Sequence, residues 1–167
     1  MTASSIGRAF VVVRGVLYAS LFVLLWGWLA ISVRRYDGAL PFVIPDWLRP
    51  LGFIVGVLGA LVALWCIATF VTRGQGTPAP FDPPRVFVAS GPYRFVRNPM
   101  YIGGFGVMAG AALIVGSPAI LFLALAFLAA LHLFVLLYEE PTLERSFGSS
   151  YLHYKATVRR WLPGRPR

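Results

Sequence analysis

The 167 residues suit a single domain, and 58% of them are apolar against 13% charged, a balance that excludes an ordinary soluble protein and points to the membrane. The net charge of +9 does not indicate nucleic acid, because the basic residues gather at the ends of apolar runs, as juxtamembrane arginines do. The single cysteine, Cys66, lies inside an apolar run without a partner, which excludes a disulfide framework and a cysteine metal site and makes it a small buried hydrophobe.

The first apolar run covers residues 15–33 and follows Arg8 and Arg14, an order that imitates a signal peptide. The run is too long for a signal core. Arg34 and Arg35 also follow it where a cleavage site needs small residues, so it is expected to remain as a span. Residues 50–71, 100–115 and 118–138 supply three more apolar runs, the third of the four being short. Gly116, Ser117 and Pro118 make a tight break, so the last two runs form a helical hairpin whose first arm is expected to cross tilted or in part. The fold class expected is an all-α integral membrane protein with about four transmembrane helices.

Orientation follows from the basic residues. With both termini and the loop 72–99 cytoplasmic, that side carries Arg8, Arg14, Arg73, Arg85, Arg94, Arg97, Arg145, Lys155, Arg159, Arg160, Arg165 and Arg167. Only Arg34, Arg35 and Arg49 remain opposite, the asymmetry that the positive-inside rule describes.

Within the loop, Gly74, Gly76, Pro78, Pro80, Pro83 and Pro84 resist helix, Arg85 to Ala89 suits a short extended segment, and Ser90-Gly91-Pro92 turns the chain. Asn98-Pro99 reads as an N-cap followed by proline in the first helical position, which leaves free N–H groups at the start of the third span. Past the fourth span, Pro141 removes the helical hydrogen bond to Leu137 and should kink or restart the helix just after Glu139 and Glu140. Ser149 or Ser150 can cap a final amphipathic helix towards Trp161, with Tyr151, Tyr154, Val158 and Leu162 near one face.

Several groups of residues carry possible chemistry. Tyr93, Arg94, Arg97, Asn98, Pro99, Met100, Tyr101 and Gly103 cluster at the third span's start. As membrane-edge residues they meet headgroups and the interfacial belt. As a site, the helix N-terminus and arginines hold a carboxylate while the tyrosines pack on an adenine or near a sulfonium. Glu139 and Glu140 oppose the helix macrodipole unless a positive partner binds. Neighbouring helical positions point about 100° apart, so one of the two is expected to face a pocket. Solvation of a helix end near Arg145 or Lys155 is the plainer reading. His132 is the ionisable side chain deepest in a span; it either lines a substrate cavity or bonds a backbone carbonyl. His153 belongs to the tail's surface. Gly52, Gly56 and Gly59, with Gly103, Gly106 and Gly110, have the spacing of close helix packing, and Gly103 also sits where a cofactor can approach the backbone.

These residues resemble the isoprenylcysteine carboxyl methyltransferase and phospholipid methyltransferase superfamily of integral membrane enzymes. The likeness spans roughly residues 85–163. It rests on S-G-P-Y-R-F-V-R-N-P-M-Y-I-G at 90–103, E-E-P-T-L at 139–143, and F-G-S-S-Y-L-H-Y-K-A-T-V at 147–158. It implies one membrane domain, with two N-terminal spans over residues 1–72 and a catalytic half over 73–167 containing a cytoplasmic cofactor-binding loop. The cofactor implied is S-adenosyl-L-methionine, with S-adenosyl-L-homocysteine as product. By position, Arg85, Val86, Phe87 and Val88 line it and Tyr93 packs beside it. Asn98, Pro99, Met100 and Tyr101 match an R-H-P-x-Y segment, and Glu139 matches the cofactor-binding acid. Asn98 replaces the usual histidine; it caps and donates but does not titrate. Val135 stands where the eukaryotic carboxyl methyltransferases place a substrate-binding arginine, and a valine cannot anchor a prenylcysteine carboxylate.

Methyl transfer from a sulfonium is an in-line displacement that needs no metal, only alignment in a dry pocket. A carboxylate or thiolate acceptor needs no base, whereas an amine must first lose a proton, for which Glu140 and His132 are the candidates. The acceptor expected is lipophilic and enters from the bilayer. Two rivals stand: an NADPH-dependent membrane reductase related to sterol reductases, and a non-catalytic membrane scaffold.

Overall fold

In the computed structural model, which describes residues 3–74 and 87–164, apolar sequence becomes helix wherever neither proline nor glycine interrupts it. The α-helices among the described residues are α1 (Ala3–Val33), α2 (Arg49–Thr69), α3 (Pro99–Val115), α4 (Pro118–Phe134) and α5 (Glu140–Thr157). Their boundaries follow local chemistry: Pro50, Pro99, Pro118 and Pro141 each lie in a first turn, where no helical N–H is needed.

The chain is an all-helical membrane protein. Val13–Ala39, Asp46–Arg73 and Pro118–Thr157 are long and apolar enough to cross a bilayer. The shorter α3 has 17 residues, and at 1.5 Å per residue reaches roughly 26 Å, just under a hydrocarbon core of about 30 Å.

The closest helix pair is α2 with α3. An added Cβ on Gly59 would lie 2.6 Å from the Gly103 carbonyl oxygen, and one on Gly110 would lie 2.6 Å from the Gly52 oxygen. Small residues therefore let two backbones touch, as their spacing predicts. Gly103 belongs to this interface, its missing Cβ facing Gly59 and Ala63, so packing against α2 accounts for it.

The hairpin of α3 and α4 turns at Gly116, whose φ of 69° is the left-handed conformation that glycine adopts without cost. Ser117 Oγ accepts from the Ile120 N–H, and Asp37 reaches across from the end of α1 to take the Ser117 hydroxyl (2.7 Å) and the Ala119 N–H (2.9 Å). A carboxylate thus caps α4 from another element. Below this clasp, Trp26 of α1 meets Phe127 of α4 edge-on at 4.4 Å, beside a buried cluster of Met108, Ala124 and Phe127.

The fourth apolar run does not end where α4 ends. Val135–Glu139 forms a π-helical turn and α5 restarts at Glu140, with Pro141 in its first turn. The restart at this point is what the sequence predicts from the N–H that Pro141 lacks. The tail agrees with expectation in part. Gly148 (φ 51°) divides α5 into two helical stretches, so a new helix does start at about Ser149, but it stops at Thr157 and does not run to Trp161. Tyr151, Tyr154 and Val158 pack together as expected, but Leu162 is 69% exposed. Residues beyond Val158 leave the helix because their carbonyls pair elsewhere, as described next.

Candidate active site

The end of the hairpin away from Gly116 brings together the start of α3 and the end of α4. Tyr101 lies one turn into α3, and its hydroxyl donates to Glu139 Oε2 at 2.8 Å. The second oxygen, Oε1, accepts no hydrogen bond from the described residues. Both residues are half-buried. A carboxylate held this way, in an apolar surround, suits a cationic ligand.

Glu140 points elsewhere, as helical geometry requires of a neighbour. Its carboxylate takes the two-pronged guanidinium of Arg160, at 2.7 Å from Nε and 3.0 Å from the terminal nitrogen. Arg97 NH1 lies 3.1 Å away and Lys155 Nζ 3.6 Å. The side chain is only 6% exposed, so the pairing offsets a large desolvation cost. The bond from Glu140 in turn pushes the Arg160 guanidinium above its ordinary pKa. With both oxygens engaged by cations, Glu140 is a weak proton acceptor and a strong anchor. Arg97 meets it without hydrogen-bond alignment, and the buried Arg97 Nε has no hydrogen-bond partner among the described residues.

The tail closes this end. The Arg97 N–H donates to the Arg159 carbonyl (2.9 Å), and the Asn98 N–H and Nδ2 both donate to the Arg160 carbonyl (3.3 Å). Asn98 occupies the N-cap position of α3 but its side chain makes no cap bond, contrary to expectation; its Nδ2 donates to the tail carbonyl. Pro99 is buried beside it and Met100 half-buried.

Tyr93 belongs to a second layer. Its hydroxyl pairs with the Cys66 thiol, its ring meets Phe70 edge-on at 5.3 Å, and its carbonyl accepts from Tyr154 at 2.6 Å. Burial pushes its phenol pKa well up, so it remains protonated. Phe87 sits among Phe147, Tyr151 and Tyr154, and Val88 is buried. Arg85 and Val86 lie outside the described residues.

Of the two places the sequence offers His132, a cavity wall or a backbone carbonyl, the carbonyl is not taken: its Nδ1 accepts from the Trp161 indole N–H at 3.0 Å. The pair ends a groove of about 480 Å³ lined by Ile102 and Phe105 of α3 and Leu125, Leu128 and Ala129 of α4. Val135, at the position of the missing arginine, is 1% exposed. His153 is exposed, as expected of the tail's surface. Arg160, Trp161 and Tyr154 were not foreseen as partners of this end; they act through bonds spanning 20 to 61 residues, which no local pattern signals.

The family model for phospholipid methyltransferases matches residues 47–150, more than half of the chain. The chain belongs to the phospholipid methyltransferase family. The match starts earlier than the likeness read from motifs, taking in α2, whose glycines bind it to α3, and ends before the tail. Family membership makes the chain a membrane methyltransferase, and the matched residues include the hairpin, Tyr101, Glu139 and Glu140. A comparison with curated proteins gives no match.

Proposed function

We propose that this phospholipid methyltransferase family member transfers a methyl group from S-adenosyl-L-methionine to a lipophilic acceptor at the cytoplasmic membrane face, as an enzyme of the EC 2.1.1 type. The observation that carries the reading is the Tyr101–Glu139 pair, formed where α3 begins and α4 ends. The unpaired Arg97 Nε fits the cofactor's carboxylate, and the open oxygen of Glu139 fits its ammonium or sulfonium. When bound, the cofactor supplies an electrophilic methyl that passes to an acceptor lone pair as its bond to sulfur breaks.

The protein's own residues then bind and orient. Glu139 holds positive charge, with Tyr101 fixing its rotamer. Glu140, through Arg97 and Arg160, fixes the start of α3 and the tail around it. Phe87, Val88, Tyr93, Asn98, Pro99 and Met100 form the packed wall, and the family likeness assigns Arg85 and Val86 to the cofactor as well. Gly103 sets the distance of that wall from α2. For an amine acceptor, His132 is the better proton acceptor of the two candidates, because Glu140 is occupied by three cations. The clustering of twelve of the fifteen basic residues on this side supports a cytoplasmic site with both termini there.

The test is calorimetric and chemical. Purified protein should bind S-adenosylhomocysteine and not NADPH, and membranes given methyl-labelled S-adenosylmethionine should yield a labelled lipid. Glu139→Ala should weaken cofactor binding at least about tenfold, the scale of one lost charge-assisted bond. NADPH binding without S-adenosylhomocysteine binding would discard the reading, and an unimpaired Glu139→Ala would remove its central residue.

A further inference from the structure

Two stretches of backbone outside the α-helices lie side by side at the end of the hairpin that holds Glu139. The first, residues 94–98, leads into α3, and the second, residues 158–162, follows α5. The Arg97 and Asn98 N–H groups of the first donate to the Arg159 and Arg160 carbonyls of the second. Each stretch also carries an arginine and an exposed apolar side chain. Arg94 is exposed with its guanidinium 4.5 Å from the centre of the Phe95 ring, and Phe95 is itself 44% exposed. Arg159 is half-buried, and Leu162, three residues on, is exposed.

Neither Arg94 nor Arg159 has an acidic partner among the described residues. The acids at this end are already engaged: Glu140 by Arg160, Arg97 and Lys155, Glu144 by Lys155, and Glu139 by the Tyr101 hydroxyl. A guanidinium stacked on a ring keeps its in-plane N–H donors free, and that planar fork is what matches a phosphate.

The membrane helices set the height of both stretches. Phe95 comes four residues before Pro99, where α3 starts. Trp161 donates to His132 of α4, seven residues before Glu139 and so roughly 10 Å deeper along the helix. Leu162 follows Trp161 directly. Both exposed apolar side chains therefore stand where acyl chains meet headgroups, with an arginine long enough to reach the headgroups near each.

We propose that Arg94, Phe95, Arg159 and Leu162 together dock anionic phospholipid of the adjoining leaflet, as a ligand separate from the methyl acceptor, and that this lipid holds the tail against the start of α3. The lipid phosphate accepts from the two guanidinium groups while its acyl part covers the phenylalanine and the leucine. A net negative headgroup is required, because the cation of a zwitterionic one opposes the arginines. The inference rests on the cytoplasmic placement of this end only for the leaflet met in the cell.

Amide hydrogen exchange at Arg97 and Asn98 reads the tail directly, since both N–H groups end on tail carbonyls. The full chain is compared in nanodiscs of phosphatidylcholine and of phosphatidylcholine mixed with phosphatidylglycerol. Both leaflets of such a disc carry the anionic lipid, so the result is independent of orientation. Exchange at the two amides should slow about tenfold with phosphatidylglycerol, the scale for two arginines near an anionic surface, and the slowing should shrink at about 0.5 M salt. Arg94→Gln combined with Arg159→Gln should abolish it, and Phe95→Ser combined with Leu162→Ser should reduce it about threefold. Arg34→Gln, which removes the same charge from the other side of the bilayer, should leave it intact. Exchange indifferent to phosphatidylglycerol, equal slowing in the double glutamine variant, or loss of the effect in Arg34→Gln overturns the proposal. Failure to bind S-adenosylhomocysteine would instead sink the methyl-donor reading, and the exchange rates would still judge the lipid surface.

Discussion

Two adjacent glutamates take opposite parts at this site. Glu139 has one oxygen on Tyr101 and the other without a hydrogen-bond partner among the described residues, whereas Glu140 is enclosed by Arg160, Arg97 and Lys155. The first can respond to a ligand; the second cannot leave its partners without exposing a buried charge. Tyr101→Phe removes the hydroxyl and little else, so the fold should persist while S-adenosylhomocysteine affinity drops about tenfold by calorimetry. An unchanged affinity would mean that the tyrosine serves packing alone. The pair was half legible beforehand: the motif named both residues, but their bond across 38 positions belongs to the fold.

Among the elements, α2 and α3 are bound by what they lack. Gly59 allows no Cβ, since one would stand 2.6 Å from one backbone atom and 2.8 Å from another. Gly59→Leu should therefore lower thermal stability in detergent by about 2 kcal/mol or more, as overpacked interfaces do. Gly27 on α1 has nothing within 4 Å of an added Cβ, so Gly27→Ala should be neutral or gain up to about 1 kcal/mol of helix propensity. Equal losses from both would contradict the packing described. The spacing of the glycines announced this interface, because small-residue periodicity is a property of one helix face. The π turn at Val135–Glu139 was announced only as a kink at Pro141; its width depends on how α5 docks.

At the scale of the whole molecule, the tail past Val158 joins both arms of the hairpin. Arg160 contributes a guanidinium to Glu140 and a carbonyl to Asn98, and Trp161 reaches His132. Arg160→Ala should cost about 1–3 kcal/mol of thermal stability, tempered because Arg160 is partly solvated and Glu140 keeps Arg97 and Lys155. Arg160→Lys should recover only part, since an ammonium lacks the two-pronged fit. Cofactor affinity should fall along with stability in both variants, and a loss of stability alone would make the tail a mere clasp.

Much of the protein is determined by its sequence read alone. Apolar runs, prolines and glycines set most ends of the apolar helices to within a few residues, the start of α1 at Ala3, twelve residues before its run, being the exception, because helix length, helix breaking and close packing depend on neighbours a turn or two away. The motifs named Tyr101 and Glu139 for the same local reason. Only the tertiary structure decided that Asn98 bonds the tail instead of capping α3, that Asp37 caps α4, that Glu140 is an anchor, and that Trp161 meets His132. Each of those bonds joins residues 20 or more positions apart, and the partner of a buried polar group is fixed by which elements meet, not by the residues beside it.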